Sequence, residues 1–375
     1  MPRPILATID THALADNLGA VSEFARATLP GVFVWAVIKA RGYGHGIEAA
    51  VRGFAQADGL ALLDFDEAVQ CRTLGWRKPI LLLEGFFEPA DLALVQAYEL
   101  AIVVHCAEQL DMLESATLGR PVDAWVKLNS GMHRLGFQPA EYRRQYARAL
   151  ALQAGGCLGQ VGKMTHFARA DDDPGTTRAQ LDCFRSITQG LPGPVSVCNS
   201  AATLTAGLSR TLGDGPQAVR PGVCLYGASP FPAKTAAELH LRPAMTLASV
   251  LISTHRMQAG DGLGYGHAYR APHDMRVGIV ACGYADGYPR HAPTGTPVQV
   301  AGVRTRLLGT VSMDMLAVDL EPVPQAGPGA PVVLWGEGGP SVNEVAAASA
   351  TIGYELLTAL APRVPRRILP AVGSG

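Results

Sequence analysis

Eight short apolar runs, separated by stretches with helical periodicity, constrain the fold of this chain more than any other feature. The runs are rich in β-branched residues and lie at 32–38, 59–65, 79–85, 100–105, 122–128, 161–167, 194–199 and 219–227. Amphipathic stretches at 47–57, 106–116 and 139–154 lie between them and could each cover one face of a sheet. This alternation is typical of parallel α/β folds, and eight units predict a (β/α)8 TIM barrel.

The sequence changes in character after residue 235, where Val- and Thr-rich runs are separated by Gly and Pro turns. We therefore predict an N-terminal barrel over 10–235 and a C-terminal, mainly antiparallel β domain over 236–375. The opening segment 1–9 could add a strand to that second domain. Two domains also suit a chain of 375 residues. Because no low-complexity linker separates them, we expect the domains to pack closely.

Charge and cysteine content exclude several classes of partner. The 31 Lys and Arg residues nearly cancel the 32 Asp and Glu residues, so no general field favours nucleic acid or an anionic membrane surface. A small molecule is the expected partner. The seven Cys residues show no CxxC spacing, which predicts reduced thiols and neither a disulfide framework nor a metal site. With no membrane-span or signal-peptide pattern, we expect a cytoplasmic protein.

Polar side chains lie at or next to the ends of the apolar runs, where strands would end, and Arg220 lies within the last run. They are Lys39, Glu84, His105, Lys127, Asn129, His166, Asn199, Ser200 and Arg220. In (β/α)8 barrels the C-terminal ends of the strands meet at one rim, which carries the active site. A single Lys in such a place is usually only a solvated strand end. Recurrence in successive units predicts a functional site at this rim.

Lys39 is the most informative of these residues because it directly follows a run of apolar and aromatic residues. Burial there would lower the pKa of the amine and make it a nucleophile toward a carbonyl, which is Schiff-base chemistry. Gly42, Gly44 and Gly46 would let a ligand approach the backbone, although a flexible loop explains them equally well.

The segment 199–202, together with Arg220 and Gly222, has the character of an anion site. Asn and Ser can open a helix that has unpaired N–H groups, and Gly permits close approach of the backbone. In several barrel families the loops after the last two strands bind phosphate. The alternative interpretation is a purely structural helix N-cap at Ser200.

Nine blocks spread over the whole chain carry a family resemblance. They are AVIKARGYGHG, KLNSGMHRLGF, MTHFARAD, NSAAT, VRPGVCLYG, GLGYGHAY, GYADGYPR, GTVSMDM and IGYE. The first resembles the signature around the cofactor lysine of alanine racemases, and the others resemble later blocks of that family in the same order. The chain is thus similar to the fold-type III isomerases that use pyridoxal 5′-phosphate (PLP) to interconvert L-alanine and D-alanine.

The resemblance implies one cofactor site and one shared substrate site. Lys39 would hold PLP covalently as a Schiff base. The other implied cofactor contacts are Tyr43, Arg134, His166, Asn199, Ser200, Arg220, Gly222, Val223 and Tyr354. Arg134, Tyr284 and Met313 would contact the substrate, and Lys127, which is carbamylated in some relatives, would brace Arg134. Tyr265, Tyr284 and Met313 are expected to reach the neighbouring subunit's barrel, which implies a homodimer with shared active sites.

Racemisation requires two acid–base groups on opposite sides of the substrate Cα. The resemblance implies Lys39 for D-alanine and Tyr265 for L-alanine as the catalytic pair. Amines and phenols have pKa values of about 10 in water, so burial or neighbouring positive charge must lower the pKa of both groups if they are to act near neutral pH. Arg134, Arg220 and His166 are the predicted sources of that charge. A guanidinium facing the cofactor's pyridine nitrogen would leave that nitrogen unprotonated, which favours simple reprotonation over side reactions.

Three alternatives share part of this pattern. A basic amino-acid decarboxylase has the same two-domain plan, but it does not need the Tyr265 block. A small PLP-binding homeostasis protein is a single barrel, so the second domain argues against it. An aldolase barrel with a Schiff-base lysine but no PLP would lack visible-range absorbance.

Departures from the family pattern lie beside the motif residues. Arg41 and Gly42 replace the more usual Asn and Ala, Cys198 precedes Asn199, and Ser312 stands where Cys is commoner. They put loop details and substrate fit in doubt more than the chemistry. The sequence leaves open the preference for alanine over serine, the modification of Lys127, and whether D-alanine is supplied for the peptidoglycan cell wall or broken down.

Overall fold

Eight parallel strands close into a barrel in a computed structural model that describes residues 3–208 and 215–369. After β1 (Leu6–Ile9), the barrel strands are β2 (Phe33–Val37), β3 (Gly59–Leu62), β4 (Ile80–Leu82), β5 (Leu100–Val104), β6 (Val122–Lys127), β7 (Leu158–Met164), β8 (Val195–Ser196) and β9 (Gln217–Val219). Val34 of β2 lies beside Val219 of β9 and closes the ring. All five residues of β5 are buried, as expected of a strand covered on both faces.

Helices cover the outside of the barrel and connect its strands. They are α1 (Thr11–Thr28), α2 (Lys39–Tyr43), α3 (Ile47–Gly53), α4 (Phe65–Thr73), α5 (Asp91–Ala97), α6 (Ala107–Ser115), α7 (Pro139–Ala154), α8 (Pro174–Thr188) and α9 (Ser200–Thr203). Local sequence sets their ends. At α8, for example, the Asp173 carboxylate accepts from the Thr176 N–H at 3.0 Å, and Pro174 occupies the first turn, where its missing N–H costs nothing.

The remaining strands form a separate, mainly antiparallel sheet and a short hairpin. They are β10 (Met245–Met257), β11 (Gly262–Leu263), β12 (Tyr269–Arg270), β13 (Met275–Val280), β14 (Pro297–Val300), β15 (Val303–Leu308), β16 (Leu316–Asp319), β17 (Pro331–Trp335) and β18 (Arg366–Ile368). Helices α10 (Val342–Ala348) and α11 (Gly353–Thr358) pack beside them. The sheet order is β13-β16-β15-β14-β17-β10-β1-β18, and β10 also pairs with β13. Strand β1 pairs antiparallel with β10 and parallel with β18.

The predicted fold class, a TIM barrel followed by a mainly antiparallel β domain, is confirmed. One strand prediction is wrong, because the run at 219–227 contains only the last residue of β9. Pro221 has no N–H to donate to a ladder, and Val223–Tyr226 form a 3₁₀ helix. The domain limits at 9/10 and 235/236 stay predictions. Residues 1–2 and 370–375 of the predicted segments lie outside the described residues.

None of the helices within residues 3–208 and 215–369 is both long and apolar enough to cross a membrane.

Candidate active site

A pocket of about 620 Å³ opens at the C-terminal rim of the barrel. It brings together most of the residues that the sequence predicts for the cofactor site. Its lining includes Lys39, Tyr43, Lys127, Arg134, His166, Asn199, Ser200, Arg220, Gly222 and Tyr354. Most of these follow different barrel strands, whereas Tyr354 lies on α11, near the C-terminal end of the chain. The pocket therefore lies between the barrel rim and α11.

Lys39 is fixed at this rim by an unusual turn in α2. Ala40, Arg41 and Gly42 have φ values of 56°, 56° and 62°, in the left-handed region that side chains disfavour by about 1–2 kcal/mol per residue. Two side chains from other elements hold the turn. The Arg41 N–H donates to the Glu67 carboxylate at 2.6 Å, and Arg366 Nε donates to the Gly44 carbonyl at 2.8 Å. The turn returns the chain so that Tyr43 also faces the pocket.

Glu67 and Arg366 were not identified from the sequence, because neither lies at or directly after the end of an apolar barrel run and neither belongs to one of the nine blocks. Glu67 lies in the first turn of α4, and Arg366 is the first residue of β18. Gly42, which the sequence predicts to let a ligand approach the backbone, also has a structural reason to be glycine. A Cβ at Gly42 would lie 3.1 Å from the Ala50 Cβ, so the turn itself favours glycine at this position.

The pocket is rich in positive charge. Lys39, Lys127, Arg134 and Arg220 line it, against the two carboxylates Glu84 and Glu355. Burial and the charge of Arg134 lower the pKa of Lys39, as predicted from the apolar run before it. Burial and the charges of Arg220 and Arg134 lower the pKa of Lys127 to about 8. The pocket therefore suits an anionic ligand and holds amines with a larger unprotonated fraction near neutral pH than surface lysines have.

Arg220 and His166 form a buried pair at the base of the pocket. Arg220 is 4% exposed; it donates to the Thr165 carbonyl at 2.7 Å and to the Ser196 hydroxyl. Burial lowers its pKa to about 10, which leaves the guanidinium charged near neutral pH. Its Nη2 lies 3.4 Å from His166 Nδ1, and because a guanidinium can only donate, this nitrogen must be the acceptor.

The prediction that His166 supplies positive charge is wrong. Burial, followed by the charges of Arg220 and Lys127, lowers the pKa of His166 well below its usual value. The ring is therefore neutral near pH 7, and Arg134 and Arg220 remain as the predicted sources of charge.

Hydroxyl groups and a glycine form the other end of the pocket. Ser200 Oγ accepts from the Gly222 N–H at 2.8 Å, and a Cβ at Gly222 would lie only 2.4 Å from Tyr43 Oη. Burial raises the pKa of Tyr43 and of Tyr354, so both phenols keep their proton and can donate to an anion. The side chain of Val223 does not line the pocket, so any ligand contact of this residue would come from its backbone.

The alternative interpretation of Ser200 as a helix N-cap is wrong. Asn199 is the N-cap of α9, and its side-chain oxygen accepts from the Ala202 N–H at 3.1 Å. Ser200 is therefore the first residue of the helix. Its hydroxyl is held by Gly222 at the edge of the pocket.

Besides Val223, three predicted residues do not line this pocket. Tyr265, Tyr284 and Met313 lie on loops of the β domain, and they are 79%, 37% and 54% exposed. Tyr265 lies at the tip of the β11–β12 hairpin. The other two residues lie on adjacent loops, since the Tyr284 N–H donates to the Ser312 carbonyl and the Ala285 N–H to the Met313 carbonyl, each at 3.0 Å. Packing within this chain does not explain such exposed large side chains.

Two family models match consecutive parts of the chain. Residues 9–230 match the alanine racemase N-terminal domain, and residues 244–368 match the alanine racemase C-terminal domain. The chain is 61% identical to an alanine racemase of Bordetella petrii, over 97% of this chain and 99% of that protein. It is 54% identical to one of Ralstonia nicotianae, over 99% of this chain and 96% of that protein.

Solved structures agree with these matches. A crystal structure of the biosynthetic alanine racemase from Pseudomonas aeruginosa has a TM-score of 0.91 and 43% identity, covering 98% of this chain and 100% of that chain. The alanine racemase from Acinetobacter baumannii has a TM-score of 0.89 and 33% identity over the same shares. The resemblance that the nine blocks carry is thereby confirmed along nearly the whole chain.

Proposed function

Because this chain belongs to the alanine racemase family, we propose that it interconverts L-alanine and D-alanine with Lys39 and Tyr265 as the two catalytic bases. The observation that carries this proposal is the rim pocket. There a buried lysine of lowered pKa lies among arginines, hydroxyl donors and a neutral histidine. Such a site suits a small amino acid whose amine and carboxylate must both be oriented.

We propose PLP as the cofactor because the residues of the pocket fit each part of that molecule. Lys39 Nζ would hold it covalently. The hydroxyls of Tyr43, Ser200 and Tyr354 and the backbone of Gly222 and Val223 would bind its phosphate. Arg220 would face its ring nitrogen, with His166, Asn199 and Arg134 as further contacts. When bound, PLP supplies an electron-withdrawing ring that acidifies the Cα–H bond of an attached amino acid.

Lys39 serves the D-alanine direction in this proposal. Its lowered pKa leaves a larger fraction of free amine near neutral pH, which can take a proton from one face of the substrate Cα and return it. The Arg134 guanidinium would bind the substrate carboxylate. Its charge also helps to keep Lys39 unprotonated, so binding and proton transfer depend on the same arginine.

Lys127 would support Arg134 from inside the pocket. Its side chain is buried, and a pKa of about 8 leaves part of the amine neutral near pH 7. A neutral buried amine can react with carbon dioxide to form a carbamate and release one proton. The resulting anion would pair with Arg134 as in the carbamylated relatives.

Arg220 would restrain the reaction to racemisation. Its guanidinium keeps its charge, with a pKa of about 10, and can only donate hydrogen bonds. Arg220 would hold the cofactor's ring nitrogen without giving it a proton, which would make the ring a weaker electron sink and favour return of the proton to Cα over side reactions. The neutral His166 ring accepts a hydrogen bond from Arg220 through Nδ1. Held in this way, the ring would help to orient Tyr265 of the partner subunit.

The L-alanine direction requires Tyr265 from a second copy of the chain. Tyr265 lies outside the pocket of its own chain and is 79% exposed. Tyr284 and Met313 also lie outside it and are less exposed than Tyr265. We therefore propose a homodimer in which these three side chains complete the partner's pocket. Each active site would then hold Lys39 of one chain and Tyr265 of the other.

The activity is tested by incubating the purified, PLP-loaded protein with enantiopure L-alanine and following its circular dichroism. We expect the signal to decay to that of an equal mixture of enantiomers while the total amino acid stays constant. The same assay with L-serine measures substrate preference. Loss of amino acid with release of carbon dioxide would instead indicate a decarboxylase, and an unchanged signal would overturn the proposal.

The shared site is tested with two inactive variants. Lys39→Ala chains and Tyr265→Phe chains are mixed under subunit-exchange conditions. If Tyr265 crosses the interface, each mixed dimer has one site with both lesions and one with neither. With random assortment half the dimers are mixed, so activity should recover to about a quarter of the unmodified value. If both residues acted within one chain, mixing would restore nothing even where mixed dimers are shown to form.

A further inference from the structure

A cluster of four charged side chains lies directly behind the loops that carry Tyr284 and Met313. This charge cluster consists of Arg3, Asp286, Asp314 and Arg363. Asp286 is fully buried, and its two oxygens accept from Arg363 Nε at 2.7 Å and from Arg3 Nη2 at 3.1 Å. Both arginines also reach Asp314: Arg363 Nη2 donates to its carboxylate at 2.7 Å, and Arg3 donates to its carbonyl at 2.7 Å. The four residues form a closed ring in which acid and base alternate.

This ring joins two loops that are distant in sequence. Asp286 ends the 3₁₀ helix Tyr284–Asp286, and Asp314 directly follows Met313. Asp286 also fixes the start of its own loop, because its Oδ2 accepts from the Gly283 N–H at 2.9 Å. A Cβ at Gly283 would lie 2.3 Å from the Ser312 carbonyl oxygen. The two loops are therefore in direct backbone contact, with the charge cluster behind them.

The side chains in front of the cluster are only partly covered by their own chain. Tyr284 is 37% exposed and Met313 is 54% exposed, so their positions depend mainly on the backbone of their loops. A buried carboxylate shared by two arginines is a strong and directional restraint on such a backbone. Because each arginine bridges both aspartates, a change at Asp286 is transmitted to both loops.

We propose that Asp286, through the charge cluster, positions Tyr284 and Met313 for substrate binding in the active site of the partner subunit. Asp286 is a positioning residue in this scheme, since it touches neither substrate nor cofactor. The inference rests on the proposed shared site and adds a residue that lies outside the rim pocket and outside the predicted substrate contacts. Loss of the restraint should misplace substrate-contacting groups and leave the cofactor pocket of the same chain intact.

The test uses the mixed dimer of Lys39→Ala and Tyr265→Phe chains, whose single intact site combines Lys39 of the second chain with the loops of the first. Asp286→Asn is added to one chain at a time. On the Lys39→Ala chain we expect the KM for L-alanine to rise about tenfold, because misplacing a binding group by about 1 Å can cost up to about 10²-fold. On the Tyr265→Phe chain we expect no change in KM. The visible absorbance of bound PLP should be the same in both.

Asp58→Asn is the matched control. The Asp58 carboxylate also accepts from an arginine, Arg26 at 2.9 Å, and from a backbone N–H, that of Val34 at 2.8 Å, but it lies in the barrel and away from the rim. It should leave KM unchanged on either chain. If Asp286→Asn does not fold, Arg363→Lys is tested in the same way, because one ammonium group cannot bridge both aspartates as the guanidinium does.

The outcomes separate the inference from the function on which it rests. A mixed dimer without recovered activity, before Asp286 is changed, refutes the shared site and the inference with it. With activity recovered, an equal KM effect on both chains would mean that Asp286 acts only through general stability. An effect only on the Tyr265→Phe chain, or none at all, would likewise overturn the positioning role.

Discussion

Replacing Lys39 by alanine is expected to abolish racemisation in both directions and to remove the visible-range absorbance of bound PLP. Alanine offers no amine to hold the cofactor, and one face of the substrate Cα loses its base. The fold should survive, because Lys39 contributes charge and not core volume at the rim. Absorbance spectra and the circular-dichroism assay on the same preparation measure both losses.

Because a second lysine, Lys127, lies in the pocket, the Lys39→Ala experiment must show which of two amines holds the cofactor. It lines the same pocket, and its pKa of about 8 makes it the other lysine there with appreciable free amine near neutral pH. Lys127→Ala is therefore the matched control, and it should keep the absorbance while weakening substrate binding through Arg134. Borohydride reduction followed by peptide mapping identifies the modified lysine. A reducible adduct on any lysine other than Lys39 would refute the assignment.

The barrel and the position of Lys39 could be predicted because they depend on local pattern. A strand buried on both faces reads as an apolar run, and the residue after it lies at the rim. The same rule failed for 219–227, where Pro221 ends the ladder although the residues around it stay apolar. Apolar composition indicates burial but does not by itself decide whether a buried segment is a strand.

Interactions between residues distant in sequence could not be predicted from the sequence. Arg3 and Asp286 are 283 positions apart, and no local signal connects them. Burial, together with positive charges from other strand ends, lowers the pKa of His166, so its residue type alone suggested a cation that the folded pocket does not allow. The left-handed turn after Lys39 likewise depends on Glu67 and Arg366, which the chain supplies from α4 and β18.

Tyr265→Phe is expected to slow racemisation by about 10²- to 10⁴-fold, the usual contribution of a general acid–base group. The change removes one hydroxyl from a side chain that is 79% exposed in its own chain, so folding of the monomer should be unaffected. Binding of PLP should also persist, since the residues proposed to hold it line the rim pocket. The variant should therefore show a lower kcat for racemisation, while the visible absorbance of bound PLP is unchanged.

The direction of proton exchange distinguishes a catalytic base from a residue that only shapes the site. In deuterated water, Tyr265→Phe should lose exchange of the L-alanine α-proton, while Lys39 continues to exchange that of D-alanine. Tyr269→Phe is the matched control, because Tyr269 lies in the same hairpin and its hydroxyl donates to the Met275 sulfur at 3.2 Å, within its own domain. This control should exchange both enantiomers at the unmodified rates. If Tyr265→Phe slowed both exchanges equally, Tyr265 would orient the substrate, and a different group would have to be the base for L-alanine.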